Sequence, residues 1–258
     1  MKNRYLYRYI SFEKFDDLVQ TKSLHFVRPE VWEDKHEGYI FQKLKTTSGQ
    51  NEIRKILETY PNTLAKGIFI DLALHFERIF FAQSWSMNGE SEAMWNSYSS
   101  NNQAIRIAVS EYKIREIKSV NLLYVDYQSE INLNAELNKI GISKNRTDFE
   151  KIYTLKRMPF SYEQEVRLIF KKSEVINEGS PAEIKLFKSA LAGTEHEHLL
   201  KSFSPDWHKV DISYIESFIE NVQTHPKSDD TFNRKIKEYC DSNNLKFIGK
   251  YDLYEPIV

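Results

Sequence analysis

A chain of 258 residues with a formal charge of −1, 41% hydrophobic and 28% charged, is long enough to bury a sizeable core and shows no overall basic footprint for nucleic acid. Its single cysteine, Cys240, excludes an internal disulfide and a zinc finger and fits a reducing cytoplasm. With eight glycines, no Gly-rich phosphate loop, a polar N-terminus and no apolar run of about 18 residues, P-loop and dinucleotide-fingerprint readings lose their support, and a soluble cytoplasmic protein with no signal peptide or membrane span is expected.

Tyr5–Ile10 (YLYRYI) is aromatic and alternating enough to be a strand. Ser11 reads as an N-cap, with Phe12, Phe15, Leu18 and Val19 at helical spacing behind it. Leu24–Val27 is a short strand ended by Pro29, and a charged loop with Glu33, Asp34, His36 and Glu37 follows. Helices are expected over Asn51–Tyr60 and Thr63–Ile79, then a strand over Phe80–Ser86 (FFAQSWS) and a turn at Asn88-Gly89. Glu92–Tyr98 is helical in pattern, with Trp95 and Tyr98 three apart on one face.

Ala104–Val109 and Val120–Tyr127 read as strands around a short helix. Ile131–Lys139 and Thr147–Arg157 are polar and helix-prone, Ser173–Ser204 reads as an irregular insertion, and Ile215–Val222 fits a strand or a helix. Ser228 is read as the N-cap of a helix with Phe232, Ile236, Tyr239 and Cys240 as its buried stripe, and Leu245–Leu253 closes the chain as a strand. No internal repeat or linker divides the chain, so one α+β domain over 1–258 with mixed or antiparallel sheet is expected.

The chain turns on Phe160–Phe170 (FSYEQEVRLIF). Read as a strand, it points Val166, Leu168 and Phe170 one way and Glu163, Glu165 and Arg167 the other. A solvated sheet face is the plain reading. Upstream, however, stand Arg8 in the first strand and Ser84-Trp85-Ser86 in a middle one.

The series YRY, WEDKHEG, SWS, MWNSY and YEQEVRLI resembles a widespread bacterial family of unknown function, from about Tyr5 to about Glu238. By motif alone, Arg, Ser-x-Ser and Glu-x-Glu also resemble toxin-type ADP-ribosyltransferases, whose serine motif carries Thr where this chain has Trp85. That second resemblance implies NAD as substrate and an ADP-ribosyltransferase-like fold. Glu165 would face the oxocarbenium-like ribose and Glu163 would act as base toward the incoming nucleophile. Arg8, with Arg4 and Arg28 as rivals, would clamp a phosphate, and Ser84 or Ser86 would hold the carboxylate or the ribose. Trp95 and Tyr98 would form a stacking wall, unless they simply pack in the core.

The reading is therefore an NAD-dependent transferase acting on a macromolecule (protein or nucleic acid) or on water. By analogy it is a bacterial toxin or phage-defence effector, with an antitoxin or other regulatory partner. The alternatives are a non-catalytic module binding protein or nucleic acid, and a metal-dependent nuclease using the acidic loop. No metal is expected, because neither Glu33–Glu37 nor Glu195–His198 has helical zinc-site spacing. Convergence of Glu163, Glu165, the serines and an arginine on one cleft separates the enzyme from the binding module.

Overall fold

The computed structural model describes residues 4–32, 34, 36–60, 69–99, 101–141, 148–172 and 207–252. Its strands and helices, in chain order, are β1 (Tyr5–Ile10), α1 (Phe12–Thr21), β2 (Ser23–Val27), α2 (Tyr39–Leu44), α3 (Thr47–Glu58), α4 (Phe69–Ile79), β3 (Phe80–Ser86), α5 (Glu92–Ser97), β4 (Ile105–Ser110) and α6 (Glu111–Arg115). There follow β5 (Val120–Tyr124), β6 (Asp126–Gln128), α7 (Leu133–Lys139), β7 (Leu155–Arg157), β8 (Glu165–Lys171), β9 (Trp207–Asp211), α8 (Ile215–Phe218), β10 (Ile219–Thr224), α9 (Asp230–Ser242) and β11 (Phe247–Lys250).

Among the described residues nine strands form one mixed sheet, in the order β11-β10-β4-β1-β3-β2-β9, with β8 on β3 and β5 on β8. The β10–β11 pair is parallel and the others are antiparallel. The fold is α+β, as the sequence implies. Alternation along β3 and β8 sends Phe81, Trp85, Val166 and Leu168 to a core under α1 and α9, and Phe80, Ala82 and Ile169 to a second core under α2, α3, α4 and α7. The β3–β8 part of the sheet is therefore covered on both faces, and β4 is buried at every position, with Ile105, Ile107 and Val109 in the first core and Arg106 on the other face against Tyr7, Tyr251 and Gln223.

Several boundaries differ from the sequence reading, each for a local reason. Phe160–Phe170 is not one strand: Met158–Glu163 is a 3-10 helix with Pro159 in its first turn, and Gln164 turns left-handed (φ 42°) before β8 begins. Residues 148–157, the described part of Thr147–Arg157, are not an α-helix; Phe149–Thr154 forms 3-10 turns and Leu155–Arg157 pairs with β6 as a strand. Val120–Tyr127 is broken at Val125 into β5 and β6. Ile215–Val222 is both things in turn, one helical turn and then β10. The cap of α9 is Asp229, which accepts from the Phe232 amide at 2.7 Å, while Ser228 donates to the His225 carbonyl. β9 pairs with β2, a strand the periodicity did not show. Thr63–Ile68, the whole of Ser173–Ser204, and Leu253 lie outside the described residues. Among the described residues no helix is long and apolar enough to cross a membrane.

Candidate active site

The cleft begins with a fork in the sheet. β3 pairs with β8 along its whole length, from Phe80↔Lys171 to Ser86↔Glu165. On its other edge, Ser86 meets Tyr7 of β1 and Ala82 meets Val27 of β2. Between those two contacts β1 and β2 diverge, and Ser84 sits in the opening. A recess of about 190 Å³ fills it, lined by Arg8, Lys14, Ser84, Tyr98, Glu163 and Glu165 among others.

The β8 flank of this recess is a buried ion cluster. Arg167 is 0% exposed and Glu165 3%. Arg167 Nε donates to Glu165 Oε1 at 2.8 Å, Nη2 donates to Glu37 at 2.5 Å, and Nη1 donates to the Tyr153 carbonyl at 2.5 Å. Its guanidinium also lies over the Trp32 ring, 4.2 Å from the centroid. Lys156 Nζ joins three carboxylates, at 2.7 Å from Glu163, 2.9 Å from Glu165 and 3.3 Å from Glu37. Burial alone would push the Glu165 carboxyl up, but Arg167, Lys156 and the Ser84 hydroxyl outweigh it and bring it down to about 2. Glu163 goes the other way: burial raises it, and Lys156 only partly offsets this. Two cations face three carboxylates, so the ionised cluster keeps one unit of negative charge. A solvated face is thereby overturned for this stretch, because Glu165 through Ile169 are all buried.

The serines divide their work. Ser84 hydrogen-bonds the Glu165 carboxylate. Ser86, 1% exposed, donates to the Glu163 carbonyl at 2.5 Å and accepts from the Asn88 amide at 2.9 Å. It ties the β3 end to the turn that carries Glu163. Ser86 is also on the recess wall, but its hydroxyl is already engaged.

The opposite flank, β1 and the start of α1, is cationic. Arg8 shares the parity of Leu6 and Ile10, yet it reaches the recess because the strands part there. Desolvation lowers it to about 10, and among the described residues no carboxylate pairs with it. Arg4 instead contacts Tyr124 and Glu111, and Arg28 lies over the Phe81 ring. Of the three arginines, only Arg8 lines the recess.

The aromatic pair separates too. Tyr98 is 47% exposed and lines the recess, its ring stacked near Tyr9 at 6.3 Å. Trp95 is 0% exposed, edge-on to Tyr9 at 4.8 Å and beside His225, in the core behind that wall. It is not placed to stack on a ligand. Asp34 and Glu37, read above as metal-ligand candidates, are engaged by Arg157 and by Arg167 with Lys156. Among the described residues no three His, Cys, Asp or Glu side chains gather as a metal site, and Glu195–His198 lie outside them.

Residues 94–168 match the model of a family described as protein of unknown function (DUF2971). This agrees with the family resemblance carried by MWNSY and YEQEVRLI. No curated relative matches the chain. Two solved structures are similar in fold, both of Thermus sp. 2.9 DarT. The one in complex with NAD+ has a TM-score of 0.41 and 7% identity, over 98% of each chain. The one in complex with ADP-ribosylated ssDNA has a TM-score of 0.40 and 8% identity, over 98% of this chain and 97% of that one.

Sequence reasoning missed Lys156, Lys14, Tyr127 and the role of Glu37. Tyr127 accepts the Glu165 amide proton at 2.7 Å and so fixes the start of β8. The one available signal for Lys156 was its alternation with Leu155 and Arg157 ahead of Pro159, which the helical reading of that stretch concealed.

Proposed function

We propose that the chain is an NAD-consuming ADP-ribosyltransferase-type enzyme acting on a macromolecular acceptor, as a toxin or defence effector would. One observation carries this reading: a single recess has a net-negative carboxylate cluster on one flank and, on the other, Arg8, which among the described residues has no counter-ion. NAD has the matching polarity, with a cationic nicotinamide end and an anionic diphosphate. Breaking the nicotinamide–ribose bond sends its electron pair to the nicotinamide nitrogen and leaves positive charge on the ribose. Glu165, ionised well below neutral pH, stabilises that charge without reorganising. The acceptor then bonds to the ribose carbon and loses its proton to Glu163. Arg8 holds a phosphate and Tyr98 offers its ring to the nicotinamide. A binding module requires no such convergence on one cleft.

Arg8→Lys tests the clamp. One ammonium cannot reproduce the guanidinium fork, so NAD affinity measured by calorimetry is expected to fall. Arg4→Lys and Arg28→Lys serve as comparisons, and both should bind NAD as the wild type does. Unchanged affinity in Arg8→Lys would remove Arg8 from the site.

The pH dependence follows from Glu163. Its carboxyl is raised above the ordinary value near 4.5, and a base works only when ionised. Transfer to the acceptor should therefore rise with pH through a limb displaced above that value. Rate profiles of wild type and Glu163→Gln check this, since the limb should vanish in the variant along with most of the transfer. A limb that persists in Glu163→Gln belongs to another group.

A further inference from the structure

The recess at Glu165 has a neighbour. A second, roomier recess of about 470 Å³ lies between α1 and β2, with Leu18, His25, Val27, Trp32 and Gln83 on its walls. The two recesses share three lining residues, Arg8, Lys14 and Ser84. Their junction is thus polar and carries two cations. Lys14 projects from the first turn of α1, and among the described residues its ammonium meets no carboxylate. The carboxylates nearby are occupied: Glu13 by the Ser11 hydroxyl and its own backbone amide, and Asp17 by Lys209 at 2.8 Å. Among the described residues, no carboxylate pairs with either cation of the junction.

Resting on the transferase reading above, we propose that Lys14 and Arg8 together clamp the diphosphate of the dinucleotide at this junction, with the nicotinamide half toward Glu165 and the adenosine half in the second recess. Two cations match the two charges of a diphosphate better than one guanidinium does. The second recess offers apolar walls (Leu18, Val27, Trp32) and polar edges (His25, Gln83), the mixture a nucleoside needs. Arg8 supplies the fork and Lys14 a mobile point charge at the mouth.

The test is calorimetric titration of ADP, AMP and nicotinamide mononucleotide into wild type, Lys14→Ala and Lys14→Arg. Nicotinamide release from NAD is measured alongside. Lys14 is exposed on α1, so its replacement leaves the core untouched. The expected result is a loss of ADP affinity of about ten- to a hundredfold in Lys14→Ala, a smaller loss for AMP, and recovery in Lys14→Arg. The salt dependence of ADP binding should also be shallower in Lys14→Ala. Equal ADP affinity in Lys14→Ala and wild type, or no ADP binding by the wild type, overturns the clamp. The two readings fail separately. Lys14-dependent ADP binding without nicotinamide release keeps the clamp and removes the transferase, and NAD cleavage with Lys14-independent ADP binding does the reverse.

Discussion

Glu165→Gln is expected to lower nicotinamide release from NAD by about 10²–10³, the usual cost of removing one preorganised electrostatic group. The substitution keeps the shape of the side chain but takes the cluster from a net charge of −1 to 0. Arg167 and Lys156 retain Glu37 and Glu163 as counter-ions, so the fold should persist, and a thermal melt checks that it does. The loss should fall on kcat and leave NAD affinity nearly unchanged, because the charge on the ribose develops only in the transition state. Glu163→Gln should behave differently, with ADP-ribose transfer reduced while slow NAD hydrolysis survives. Nicotinamide release and transfer measured side by side separate the two carboxylates. Equal activity of Glu165→Gln and wild type would sink the mechanism.

Arg167→Met should produce the largest loss of stability in the molecule's centre. It removes the partner of two buried carboxylates, the donor to the Tyr153 carbonyl and the plane that packs on Trp32. Breaking a buried pair from one side costs about 3–5 kcal/mol. For a chain of this size each kcal/mol is worth roughly 2–4 °C in Tm. The pH dependence gives the sign. In the wild type the Glu165 carboxyl lies at about 2 against an ordinary value near 4.5. Its contribution is therefore present above about 4.5 and is lost as pH falls toward 2. Without Arg167, burial pushes that carboxyl upward and charging it becomes unfavourable. The gap in Tm between wild type and Arg167→Met should thus be widest near neutral pH and shrink on acidification. A gap independent of pH would show that Arg167 acts through packing alone.

Much of this site was legible in the sequence where local chemistry is decisive. The aromatic alternation of YLYRYI placed β1, the β-rich run FFAQSWS placed β3, and Ser11 marked the start of α1. The meeting of Arg8, Ser84, Glu163 and Glu165 followed from those motifs, although choosing Arg8 over Arg4 and Arg28 required the fork in the sheet. Period two placed Glu165 and Arg167 on one face correctly. It failed for Glu163, because Pro159 and a left-handed Gln164 stop the strand short, and Glu163 reaches the recess from a 3-10 turn instead. Trp95 and Tyr98 share a helical face by spacing, yet α5 ends at Ser97 and its last turn leaves one ring inside and the other out. Lys156 was hidden by the helical reading of its stretch, although two of its partners, Glu163 and Glu165, are near in sequence, whereas Glu37 was hidden because its partners Lys156 and Arg167 are distant from it, and no periodicity reports such a pairing.

The most direct measurement is incubation of the chain with NAD labelled in its adenylate phosphate, together with cell lysate. Nicotinamide release is followed, and label is counted in the protein and nucleic-acid fractions separately. The account predicts nicotinamide release with label appearing in one macromolecular fraction, and loss of both in Glu165→Gln. Intact NAD and unlabelled fractions with the folded wild type would contradict it.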